Sequence, residues 1–186
     1  MGVVNTKSTV VSNYDAQPRI LTSGFLAGAN DTNTAATVAA VSTDSIGSTY
    51  RFCFIPSGVR VIDIQIQNDA TTAGVWQLGV YNNTQQPCTT NTAGVLTTSA
   101  AGAVPVTNAN VIFGTGISTA AAQATWKSVY SPTILAAAYT AGNIGLRVWE
   151  LLGLAADPFY EFHLVLTATT APTANGNISL AMTWAR

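Results

Sequence analysis

A chain of 186 residues can bury the core of one all-β sandwich and leave some length for a loop or an arm. Apolar residues make up 48% of it and charged residues only 8%, roughly a third of the charged share of an ordinary soluble protein. A net charge of −1 with this apolar content excludes intrinsic disorder, and seven basic residues scattered through a chain of pI about 5.6 leave no electrostatic footprint for nucleic acid.

The charge deficit has a second consequence. Surfaces poor in Lys, Glu, Asp and Arg repel one another weakly, and Thr, Asn, Gln and Ala dehydrate at lower cost than charges do. Such a surface suits permanent assembly.

The first residues, Met1-Gly2-Val3-Val4-Asn5-Thr6-Lys7, carry neither the basic region nor the apolar run of a secretory signal, and no segment has the apolar length of a membrane span. Gly2 with Thr6 fits a myristoylation pattern so loose that chance supplies it often. Residues 1–48 are rich in Thr, Ser, Ala and Asn, with short packable stretches such as Arg19-Ile20-Leu21. They read as an extended N-terminal arm with room for one strand, followed by a β-sandwich domain over residues 49–186.

Tyr50, Phe52 and Phe54 alternate with Arg51 and Cys53, the period of a half-buried strand. Pro56-Ser57-Gly58 supplies a turn, after which Ile62, Ile64 and Ile66 share one face and Asp63, Gln65 and Gln67 the other. Trp76, Leu78 and Val80 repeat the pattern in a third strand. From Asn82 to about Ala109 large apolar residues are scarce and a long loop is expected. Val111-Ile112-Phe113 and Thr125 to Tyr130 are weaker strand candidates, separated by an Ala-rich stretch at 120–124 able to turn helical.

Val148 to Leu154 uses good helix formers and stops before Asp157-Pro158, predicting one short helix near 146–154. Phe162, Leu164 and Leu166, then Ile178, Leu180, Met182 and Trp184, mark two closing strands, the second preceded by the hairpin signal Asn175-Gly176. Many short strands without βαβ alternation make the chain all-β, an antiparallel sandwich of jelly-roll type. Ile62, Ile64, Ile66, Trp76, Leu78, Val80, Phe162, Leu164 and Leu166 are its expected shared core.

Residues able to carry chemistry are few. Glu150, Asp157 and Glu161 are the carboxylates closest in sequence, and a glycosidase would need two of them across a substrate; turn and surface roles explain them better. His163, the one histidine, has no nameable partner for base or metal chemistry and reads as a solvent-facing or hydrogen-bonded strand residue. Cys53 and Cys88 lack CxxC spacing and read as free thiols in a reducing cytoplasm. Trp76, Trp126, Trp149 and Trp184 could stack sugars, but most fall on the apolar face of their strand. The sequons at Asn30, Asn82 and Asn177 follow from the abundance of Asn and Thr. No catalytic, cofactor-binding or metal site is assigned, and no enzyme is expected.

Three blocks, Tyr50-Arg51-Phe52-Cys53-Phe54-Ile55-Pro56-Ser57-Gly58-Val59-Arg60-Val61, Gly79-Val80-Tyr81 and Trp149-Glu150-Leu151-Leu152-Gly153-Leu154-Ala155-Ala156-Asp157-Pro158, resemble tailed-bacteriophage head decoration or cement proteins. The resemblance spans residues 50–184, with the last block the most specific; the stretch 82–125 and the arm before residue 48 lie outside its pattern. It implies a jelly-roll-like virion protein on the outside of an icosahedral head, bridging neighbouring copies of the major capsid protein, itself a homo-oligomer (dimer or trimer), without cofactor and without nucleic-acid or membrane partners. A receptor- or glycan-binding module of a tail fibre or spike is the alternative that shares this composition.

Overall fold

The computed structural model describes residues 5–7, 10–15, 32–81, 88–90, 96–98, 112–131 and 145–185. Its strands are β1 (Asn5–Lys7), β2 (Val10–Asp15), β3 (Thr32–Ala40), β4 (Thr49–Pro56), β5 (Arg60–Asn68), β6 (Val75–Tyr81), β7 (Cys88–Thr90), β8 (Leu96–Thr98), β9 (Gly114–Ser118), β10 (Gln123–Ser128), β11 (Glu161–Thr170) and β12 (Gly176–Ala185), with one helical turn, α1 (Val148–Leu151). One sheet runs β1-β4-β11-β6-β9 and the other β10-β5-β12-β3-β2; β7 and β8 pair with each other. Among the paired strands only β1 and β4 run parallel.

Without β1 and β2, which extend one edge of each sheet, the sheets are β4-β11-β6-β9 and β3-β12-β5-β10. Strands β3 to β6 alternate between sheets, β9 stays beside β6, and β10 to β12 alternate again. That path is an eight-stranded jelly roll, as the alternating sequence patterns predicted. The turns after β3, β5, β9 and β11 gather at one end, where Ser42 N–H donates to Asn175 Oδ1 (2.8 Å) and Thr71 N–H to the Thr119 carbonyl (2.9 Å). At the opposite end the β4–β5 turn holds the helix: Val148 N–H donates to the Val59 carbonyl (2.9 Å) and Trp149 N–H to that of Ser57 (3.0 Å).

The helix is shorter than the 146–154 expected. Arg147 is extended, its N–H donates to the Glu150 carboxylate (2.6 Å), and Gly153 takes φ +68°, which ends the helix with a left-handed residue at little cost.

Between the sheets, Ile64, Ile66, Leu180 and Met182 face Tyr50, Trp76, Leu78, Phe162, Leu164 and Leu166, all buried. The expected core is present except for Ile62, which is 50% exposed. The cause is a β-bulge. Asp63 pairs with Thr183 but Val61 with Trp184, so Ile62 is an extra residue and Val61 takes the inward position. A similar shift in β4, where Arg51 opposes Val165 and Phe54 opposes His163, turns Phe54 outward to 49% exposure.

The arm boundary at residue 48 is also corrected. Strand β3 lies inside its sheet between β12 and β2, and Ala36, Val38 and Ala40 are buried in the core. These small side chains suffice because Ile178 and Leu180, paired opposite Val38 and Ala36, fill the space. The turn that follows is anchored too: buried Asp44 accepts the Tyr50 hydroxyl and the Val41 N–H (2.9 Å). The Ala-rich stretch at 120–124, able by composition to turn helical, runs through a bend into β10. Within the expected loop 82–109 the described residues form the β7–β8 pair.

Candidate assembly surface

The outward face of β3, β12 and β5 is set by their register. Thr37, Ser179 and Gln67 form one row, Ala35, Ala181 and Gln65 the next, and Thr183 and Asp63 a third. Period-two alternation places each opposite a buried neighbour, and all are half-buried side chains standing on a paired, continuous sheet. Asp63 is the single charge in these rows, and it is already engaged by Gln65 Nε2 (2.9 Å) and Ser128 Oγ (2.6 Å). Thr37 and Ser179 hydroxyls bond each other across strands at 2.8 Å. The result is a surface of hydroxyls, amides and methyls with its polar groups largely satisfied internally, so covering it removes little hydration.

The opposite sheet differs. Strand β11 is buried on both faces from Phe162 to Ala168. His163 is therefore not solvent-facing: it is 5% exposed, with its ring 4.4 Å from that of Phe54. Tyr81 and Thr167, on the same side, share a 2.8 Å hydroxyl bond. Burial also pushes the Cys53 thiol up to about 12, far from the reactive thiolate range.

The carboxylates found by sequence serve local structure. Glu150 caps the helix, Asp157 accepts the Ser57 hydroxyl and the Phe159 N–H (2.9 Å), and Glu161 is exposed at the start of β11. Among the described residues no group of three or more His, Cys, Asp or Glu side chains is placed to hold a metal, and no helix is long and apolar enough to cross a membrane. Of the tryptophans, Trp76 and Trp184 are buried and Trp149 packs partly against the core, while Trp126 is 43% exposed on edge strand β10. Asn177 is exposed; Asn30 and Asn82 lie outside the described residues, as does the side chain of Cys88.

Sequence reading missed this face because its residues, small and uncharged, look like filler one strand at a time. The available signal was the alternation of Ser179, Ala181 and Thr183 between larger apolar neighbours.

No family model matches the chain, and no curated protein matches it. A solved chain described as "Cyanophage Pam1 capsid asymmetric unit" is similar at 14% sequence identity and a TM-score of 0.49, over 92% of this chain and 96% of that one.

Proposed function

We propose that this chain is a structural protein of a tailed-bacteriophage particle that decorates the outer surface of the head and cements neighbouring copies of the major capsid protein. The observation that carries the reading is the charge-poor face of β3, β12 and β5, displayed by a jelly roll, an architecture common among capsid domains. Such a face binds by shape and apolar contact, with little desolvation to offset. Many copies on one shell turn a modest gain per contact into firm attachment. No catalytic role is assigned: Glu150 and Asp157 are committed to capping and turn bonds. The alternative, a sugar-binding module of a fibre, would use exposed aromatics, and Trp126 is the one partly exposed tryptophan on a strand.

The test is to add the purified chain to phage heads lacking it and measure co-sedimentation and the temperature at which the heads open. Binding that saturates at a fixed stoichiometry and raises that temperature is expected. Ala181→Glu, which sets a charge at the middle of the face, should weaken binding by about tenfold or more while leaving the chain's own melting unchanged. Wild-type chain that fails to bind heads, or binding indifferent to the charge, overturns the reading.

A further inference from the structure

We propose that the groove between β9 and β10 binds an acidic sugar, with Asn68 accepting a hydroxyl of the ring and Lys127 holding the carboxylate. Strand β9 is the edge of one sheet and β10 the edge of the other, and they part around a groove of about 470 Å³, within the roughly 300–1,000 Å³ of small-molecule sites. Strand β10 leaves regular register with β5 there: Gln123 opposes Asn68 and Lys127 opposes Ile66, four residues against two. Asn68, the last residue of β5, lines the groove and is 6% exposed. Its Nδ2 donates to the carbonyls of Asp69 (2.7 Å) and Ala121 (3.0 Å). Carbonyls only accept, so the amide cannot be turned over, and Oδ1 is left buried without a donor among the described residues. A buried acceptor without a donor is rare in a folded chain and marks a place for a donor from outside it.

The rest of the lining sets what else the ligand carries. Ile66 and Ile117 are buried beneath the groove and Val129 is half-buried, an apolar strip for the C–H face of a sugar ring. Thr115 and Ser118 are exposed at its margin and offer hydroxyls to a polyhydroxylated ligand. Among the described lining residues Lys127 alone is charged, and its exposed ammonium suits a carboxylate. With no Asp or Glu in that lining, an ammonium donor would give up its hydration for one neutral acceptor, whereas a hydroxyl gives up far less. Exposed side chains such as Lys127 and Thr115 change rotamer readily, which opens the way to Oδ1. The groove uses the inward residues of β5, Ile66 and Asn68, and not the outward face of β3, β12 and β5, so the site goes beyond the capsid reading and does not rest on it.

The test titrates the full ¹⁵N-labelled chain with sodium glucuronate, with glucose and with sodium acetate at constant ionic strength, following amide NMR signals. Glucuronate should shift the signals of β9 and β10 saturably, and the side-chain amide signals of Asn68 should move with the same affinity. Lys127→Gln should weaken glucuronate by about tenfold or more with an unchanged melting temperature. Glucose should bind at least about tenfold more weakly than glucuronate, to wild type and variant alike, and acetate should leave the Asn68 side chain unmoved. No saturable shift with glucuronate, shifts centred elsewhere, or an Asn68 side-chain amide that stays put overturns the proposal. Acetate reproducing the glucuronate shifts would reduce the site to a lone ammonium, and full glucuronate affinity in Lys127→Gln would remove its carboxylate partner; either result overturns it equally.

Discussion

The buried indole of Trp76 donates to the Thr119 hydroxyl at 2.7 Å, and that hydroxyl shares a 2.6 Å bond with Thr71. Both threonines are fully buried, and the three residues join the β5–β6 turn, β6 and the β9–β10 turn at one end of the sandwich. Gly74 closes over them so tightly that a Cβ there would lie 2.5 Å from Thr71 Oγ1 and 2.7 Å from Thr119 Oγ1. Thr119→Val keeps the shape but strands the indole N–H, so it should cost about 1–3 kcal/mol in urea unfolding. A cost within error of zero would show that the bond does not hold this end together.

Ile62 and Ile64 stand two residues apart on β5, yet Ile64 is fully buried and Ile62 half exposed. Ile64→Ala should destabilise the fold by about 2–5 kcal/mol, and Ile62→Ala by less than about 1 kcal/mol. Equal costs would mean that the bulge between them is absent in solution.

The same pair shows what sequence can and cannot reveal. Strict alternation located β5, β6, β11 and β12 and their inward residues, because a two-sheet core demands period two. A bulge inserts one residue without a local mark when neither Gly nor Pro is involved, so Ile62 and Phe54 were placed on the wrong side. Strand β3 escaped because Ala36 and Ala40 pack beneath larger residues far along the chain. Long-range complementarity of that kind is invisible in a local window. The outward face of β3, β12 and β5 was hidden for a related reason: it is created by the register between distant segments.

Alkaline pH should weaken the fold through Cys53. Burial raises its thiol from an ordinary 9.0 to about 12, so the folded state favours the neutral form. Its contribution is complete below pH 9 and is lost as pH rises toward 12, because the unfolded chain ionises first. Tyr50, pushed up by burial and by the Asp44 carboxylate, acts in the same direction above pH 10. Denaturant midpoints should fall above pH 9, and Cys53→Ala should reduce that slope. Unchanged slope in the variant would remove Cys53 as the cause.

Removing residues 2–45 deletes β3, which pairs along its whole length with β12. The truncated chain should be insoluble or lack a cooperative thermal transition. A soluble product that melts like the full chain would show that β3 is dispensable to the sandwich.

The central claim is that this chain sits on the outside of a phage head, and a density map of heads reconstituted with the purified protein tests it most directly. The account predicts ordered density outside the shell that fits the jelly roll, with the β3-β12-β5 face turned toward the capsid surface. Heads that remain bare, or density confined to the tail, would contradict it.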